Sequence, residues 1–240
     1  MDTSRRSIFA GLSNAFAGLI GAAEAAAAPP ATPPTGSRWA MVVDVAKCIG
    51  CQACTVSCIM ENAVPEDSFR TIVSTYEVQE AGGGAGMAML PRLCNHCADA
   101  PCIPVCPVGA TYQRDDGIVV VNADACVGCA YCVQACPYDA RFINHATRKA
   151  DKCTFCAHRV DAGLLPACVE SCVGGARIFG DLRDPSSAVS RLLAGHASKV
   201  LKPEMHTAPH VFYLGLDDAF LGRVEGEPTL WKPSHPEARA

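Results

Sequence analysis

Cys126-Val127-Gly128-Cys129-Ala130-Tyr131-Cys132-Val133-Gln134-Ala135-Cys136-Pro137 has the spacing C-x2-C-x2-C-x3-C-P. That spacing suits a cubane iron-sulfur cluster. Three thiolates on one tight loop share a cluster, and the fourth, a turn further on, points away to a second one.

The run is repeated. Cys48, Cys51, Cys54 and Cys58 keep the same spacing, with Gly50 standing where Gly128 stands. Cys94, Cys97, Cys102 and Cys106 widen the middle gap and close on Pro107, and Cys153, Cys156, Cys168 and Cys172 widen it further with the segment 157–167. These four runs use all sixteen cysteines. A fourth cysteine that serves another cluster requires partnered runs, and the simplest partnering joins runs two and three and leaves one and four to close around them. The expected fold is α+β: two nested ferredoxin-like two-cluster modules, with short strands and helices around four 4Fe-4S clusters. The expected ligand sets of the inner module are Cys94, Cys97, Cys102 with Cys136, and Cys106 with Cys126, Cys129, Cys132. Those of the outer module are Cys48, Cys51, Cys54 with Cys172, and Cys58 with Cys153, Cys156, Cys168.

Of 240 residues, half are hydrophobic but only 6% are aromatic. Four inorganic clusters would replace much of the missing side-chain core and make metal binding part of the folding free energy, so the apo-protein is expected to fold poorly. A net charge of −4 gives no reason to expect a nucleic-acid partner. Disulfide scaffolds impose no such grouping of cysteines and are usually smaller. Structural zinc favours cysteine pairs separated by a long loop, a pattern only the fourth run approaches.

Residues 1–28 read as a targeting segment: Arg5 and Arg6 open it, a weakly apolar stretch from Ile8 to Ala23 follows, and an alanine-rich run ends it. The apolar stretch is shorter than the roughly 20 residues that span a bilayer. Ser4-Arg5-Arg6-Ser7-Ile8-Phe9 resembles a twin-arginine signal, although Ile8 stands where that pattern has phenylalanine and no lysine follows. Export after folding suits the chemistry, because sixteen free thiols would oxidise outside the cell before clusters could be inserted. Cleavage is expected after Ala25.

Residues 29–37 then form a flexible lead-in, 38–88 and 146–200 the outer module, 89–145 the inner one, and 201–240 an extended tail. Strands are expected at Trp39–Val45, Phe69–Val78, Met87–Leu90, Arg141–His145, Ala176–Gly180 and His210–Leu214. Gly82-Gly83-Gly84-Ala85-Gly86 should be a hairpin loop, since no Lys-Ser/Thr follows to make a phosphate cradle. Asp115-Asp116-Gly117 signals a second hairpin between Thr111–Arg114 and Ile118–Val121, and Ser186–Leu193 should be a helix opened by Asp184-Pro185.

A cubane held by four thiolates has no open position, so electron transfer without direct substrate binding is the expected function and the chain itself is not expected to catalyse. Lys47 and Lys152 precede the first cysteines of the two outer runs, and a nearby cation favours the reduced cluster, which suggests higher potentials in the outer module. His96, inside run two, is expected to support or face solvent rather than ligate. No nucleophile-base pair or dinucleotide fingerprint stands out.

Four runs with the second and fourth widened resemble the iron-sulfur electron-transfer subunits of the molybdopterin oxidoreductase superfamily. RWAMVVDVAKCIGCQACTVSC, LPRLCNHC, CVGCAYCVQACPYDARFINH, DKCTFC, GLLPACVESCVGGARIFGD and PHVFYLGLD resemble, more narrowly, the iron-sulfur subunits of tetrathionate reductases. The resemblance implies a periplasmic complex, peripheral to the inner membrane through a quinol-oxidising membrane subunit. Electrons would pass to a molybdopterin catalytic subunit that reduces tetrathionate to thiosulfate. It also implies an order of clusters from the membrane: the Cys94 set, the Cys106 set, the Cys58 set, then the Cys48 set.

Overall fold

The structure, a computed structural model, describes residues 36–79 and 85–216. The expected targeting segment, the glycines Gly82 to Gly84 of the hairpin loop and the tail beyond residue 216 lie outside the described residues.

The central strand, β1 (Trp39–Asp44), is an apolar run because it is covered on both faces. Met41 and Val43 face the main core, whereas Ala40 and Val42 face a smaller cluster with Val189 and Leu214. Antiparallel to β1 lies β8 (Arg177–Asp181), in register from Trp39↔Asp181 to Val43↔Arg177; on its other edge β9 (Val211–Leu214) runs parallel, from Met41↔Val211 to Asp44↔Leu214. The strand before run one is thus tied to the strand after run four and to the chain's late segment. Leu201, Thr207, His210, Val211 and Tyr213 are all buried, so residues 201–216 are part of the packed body.

Helix α5 (Ala188–Gly195) covers the smaller cluster with Val189. It begins two residues later than expected: Ser187 Oγ accepts from Val189 N–H at 3.2 Å, while Asp184 closes a turn by accepting from the N–H and hydroxyl of Ser186.

Three hairpins complete the sheet structure. β2 (Thr71–Gln79) pairs antiparallel with β3 (Ala85–Leu93), β4 (Thr111–Gln113) with β5 (Val119–Val121), and β6 (Arg141–Asn144) with β7 (Lys149–Lys152). The pairing of β2 with β3 carries the strands to Gln79↔Ala85, further toward the glycines than the sequence pattern indicates.

The remaining helices are short and start inside cysteine runs: α1 (Ala53–Asn62), α2 (Tyr131–Gln134), α3 (Ala157–Asp161) and α4 (Ala167–Glu170). After Cys97, Pro101 and Pro104 replace a helix with turns. Eight cysteines belong to the main buried cluster, beside Leu90, Ile118, Phe155 and Tyr213. Mixed strands and helices packed on a core partly made of thiols fit an α+β ferredoxin-like architecture. Among the described residues no helix is long and apolar enough to cross a membrane.

Candidate iron-sulfur centres

All sixteen cysteines are free thiols, and the four runs share a local geometry. The residue two places after the first cysteine has a positive φ in each: Gly50 at 70°, His96 at 44°, Gly128 at 71° and Phe155 at 51°. The turn aims the N–H of that residue back at the first sulfur. Gly128 N–H and Phe155 N–H lie 3.4 Å from the Sγ atoms of Cys126 and Cys153. Burial pushes the Cys48 thiol up, and a hydrogen bond from the backbone of Gly50 works against that rise. N–H groups aimed at sulfur favour a charged, metal-bound thiolate.

The turns bring distant runs together. Cys48, Cys51, Cys54 and Cys172 wall one cavity. Cys94, Cys97, Cys102 and Cys136 wall another. Cys58, Cys153, Cys156 and Cys168 form a third, deeply buried group. Burial first, then Cys168 and Cys156, push the Cys58 thiol up to about 12. Burial, then Cys58 and Cys168, push Cys153 well above the ordinary range. Asn62 Nδ2 reaches two sulfurs of this group, at 3.6 Å from Cys58 and 3.7 Å from Cys156. Of the remaining four, Cys126 and Cys132 are buried, Cys106 is half-buried and Cys129 is exposed.

Neighbouring sulfurs also order the groups. Cys54 of the first raises the thiol of Cys168 in the third, and Cys94 of the second raises that of Cys153. Arg141, whose Nη2 donates to Cys102 Sγ at 3.0 Å, also interacts with Cys132. The sequence is therefore the Cys48 group, the Cys58 group, the Cys94 group, then Cys132 and its run. This corrects the order carried over by resemblance, which set the Cys106 group between the Cys94 and Cys58 groups. Cys153 lies against Cys94 because runs two and four pack directly on one another: the His96 and Phe155 rings stack with centroids 3.7 Å apart.

Three cations are buried among these sulfurs: Arg141, Lys152 and Arg177. None makes an ion pair with a carboxylate among the described residues. Burial alone would lower the pKa of Arg177, but Cys168 and Cys54 hold it above the ordinary value. Burial likewise opposes Arg141 and is outweighed by Cys102, Cys94 and Cys132. For Lys152 burial prevails and lowers the pKa, against the pull of Cys94, Cys153 and Cys102. Buried cations among neutral thiols would be uncompensated, a costly arrangement. Thiolates bound to clusters supply the missing negative charge, so the residues fit the group. Among the described residues no three Cys, His, Asp or Glu side chains converge as ligands of one ion; the thiols ring cavities instead.

Sequence proximity misjudged the two lysines. Lys47 is largely solvated and pairs with Asp44 at 3.2 Å. Lys152 is buried between an outer and an inner group, so its charge does not single out the outer module. Arg141 and Arg177 escaped notice, although each stands five residues after a crossing cysteine, Cys136 and Cys172, in a repeated C-x4-R. His96 is buried and neutral: burial, then Lys152, hold its pKa well below the ordinary value, and its Nδ1 accepts from Val119 N–H.

Two profiles, each described as a 4Fe-4S dicluster domain, match residues 85–182 and 47–110. With sixteen cysteines, two such domains define an electron-transfer subunit carrying four 4Fe-4S clusters. The chain is 58% identical to a tetrathionate reductase subunit of Salmonella typhimurium, across 97% of both chains. It is 44% identical to a tetrathionate reductase subunit of Archaeoglobus fulgidus, over 75% of this chain and 84% of that one. The arsenate respiratory reductase iron-sulfur subunit of a Shewanella species is 35% identical, over 74% of this chain and 96% of that one. The chain belongs to the tetrathionate reductase iron-sulfur subunit family.

Proposed function

We propose that this chain conducts electrons from a quinol-oxidising membrane subunit to a molybdopterin catalytic subunit that reduces tetrathionate to thiosulfate. When bound, each 4Fe-4S cluster takes up and releases one electron at a time. The ligand sets are Cys48, Cys51, Cys54, Cys172; Cys58, Cys153, Cys156, Cys168; Cys94, Cys97, Cys102, Cys136; and Cys106, Cys126, Cys129, Cys132. Each pair of sets makes one module, and the antiparallel pairing of β1 with β8 supports nesting one module in the other.

One observation carries the reading: the linear order of the sulfur groups leaves one exposed cysteine at each end, Cys51 and Cys129, each flanked by exposed apolar residues. Ile49 and Val173 flank the first, Val127 and Tyr131 the second. A wire needs contacts at its ends and insulation between them. The Cys48 end faces the catalytic subunit by family analogy, and the Cys129 end faces the membrane subunit. The twin-arginine segment would export the loaded chain to the periplasm.

Two measurements test this. Membranes lacking the chain should lose quinol-driven tetrathionate reduction while dye-driven reduction by the catalytic subunit persists; retention of the quinol-driven rate overturns the wire. Cys136→Ser should perturb the spin-resonance signal of the Cys94 set, and loss of the Cys126 signal instead overturns the crossed ligand sets.

A further inference from the structure

The three buried cations are distributed one to each gap of the sulfur array. Arg177 lies between the first two groups: it lines the cavity of Cys48, Cys51, Cys54 and Cys172, and its Nη1 is 4.0 Å from Cys168 Sγ of the next group. Lys152 lies between the Cys58 and Cys94 groups: Nζ donates to the carbonyl of Cys153 at 2.7 Å and to that of Val119, and Val119 lines the Cys94 cavity. Arg141 lies between the Cys94 group and the run of Cys132: it lines the Cys94 cavity and donates to Cys102 Sγ, and its strand β6 packs against α2, which carries Cys132.

Their seating is built. Arg141 and Arg177 are the first residues of β6 and β8, each five residues after a crossing cysteine, so the repeat that delivers the crossing thiolate also delivers a guanidinium. Each is held by a threonine hydroxyl from another strand, Arg141 by Thr111 at 3.3 Å and Arg177 by Thr71 at 2.8 Å.

Adjacent thiolate-bound clusters are both anionic, and each one-electron reduction adds a further negative charge beside a neighbour. In a buried, weakly screened setting that repulsion lowers the potential of the next cluster and opposes its filling. A cation in the gap acts on both neighbours at once, and a guanidinium cannot deprotonate to escape.

We propose that Arg177 and Arg141 are intercluster counter-charges, each raising the potentials of the two clusters it separates and offsetting their mutual repulsion. They are positioning residues for the electron path rather than ligands. The proposal rests on the ligand sets given above, and the Cys136→Ser spectrum tests those sets independently of any potential.

The experiment is an anaerobic redox titration of the full chain, followed by spin resonance, on Arg141→Met and Arg177→Met with iron counted per chain. Arg141→Met should shift the Cys94 and Cys106 sets downward together. The reduced-to-oxidised ratio of each at fixed potential should fall at least about tenfold, equivalent to about 59 mV for one electron, with the Cys48 set nearly unmoved. Arg177→Met should shift the Cys48 and Cys58 sets instead. Arg→Lys variants, which keep the charge, should restore most of each shift.

Unmoved potentials with full iron content, or movement of one cluster alone, overturn the proposal. Should the Met variants lose iron, Thr111→Val and Thr71→Val give the reading. They free each guanidinium without removing it, and should shift the same pairs by a smaller amount; absence of that paired shift also overturns the proposal.

Discussion

Runs one and three differ from runs two and four in what they place on the same turn. In runs one and three the residue at positive φ is glycine, the second cysteine is exposed, and the sulfur group sits at an end of the array. In runs two and four that residue is His96 or Phe155, and the first three cysteines are all buried. Their sulfur groups sit in the middle. Side chains at positive φ are strained, so glycine is the cheaper choice wherever nothing has to be filled. At the centre a ring is worth its strain: His96 and Phe155 stack on each other, and Phe155 meets the edge of Phe179, which stacks on Trp39. One loop design thus serves as a terminal contact or a central joint, according to one residue.

Phe155→Ala breaks the central joint while leaving a Cβ at positive φ. Phe155 is 1% exposed, and losing such a ring costs about 3–5 kcal/mol, read as a lower midpoint for anaerobic denaturation of the cluster-loaded chain. Phe155→Gly loses the same ring but relieves the backbone at its positive φ, so it should recover roughly 1–3 kcal/mol relative to Ala. If Gly is no better than Ala, the turn at residue 155 is unstrained and the comparison between the two kinds of run fails.

The terminal runs can be compared with one another. A Cβ at Gly128 would lie 2.3 Å from the backbone oxygen of Arg148, whereas one at Gly50 would meet Met89 Sδ at 2.8 Å, the end of a flexible side chain. Both positions carry the positive-φ penalty of roughly 1–3 kcal/mol, but only Gly128 also confronts backbone. Gly128→Ala should therefore destabilise the loaded chain more than Gly50→Ala. Equal midpoints would mean the β6–β7 turn yields as easily as Met89.

Much of this was legible in the sequence, because spacing is a local property. The cysteine runs, the Asp115-Asp116-Gly117 hairpin and the strands at residues 39, 71, 111, 141, 177 and 211 follow from short-range pattern. Which groups neighbour one another was not legible, since the contact of runs two and four is made by residues 96 and 155, far apart in the chain. Lys152 and Lys47 look alike beside their cysteines, and only packing separates the buried shared cation from the solvated one. Arg141 and Arg177 carried a signal, the repeated C-x4-R, but it has meaning only once the crossing cysteine is known to sit in another run's cavity.

The smallest expected effect concerns protons. A thiol must lose its proton to bind iron, so loading gains with pH for as long as the free thiol is still protonated. In the central groups burial pushes Cys58 and Cys97 up to about 12 and Cys168 to about 11, from an ordinary 9.0. Cys106 moves the other way: burial raises it, but N–H groups of Thr111, Val108 and Ala110 outweigh that and lower it. The neutral form of a raised thiol is the one the fold favours, so in metal-free chain its contribution is intact below the ordinary thiol pKa and fades as pH rises through the raised one. Proton release on loading follows the same windows. Reconstitution of the central sets should keep improving between about pH 8 and about pH 10, on either side of the usual thiol pKa, while the Cys106 set levels off earlier. Iron per chain and the separate reduced-cluster signals, recorded across that range, read the difference. Parallel curves for all four sets would mean that the central thiols are not set apart by burial, and that runs two and four differ from one and three only in the ring they carry.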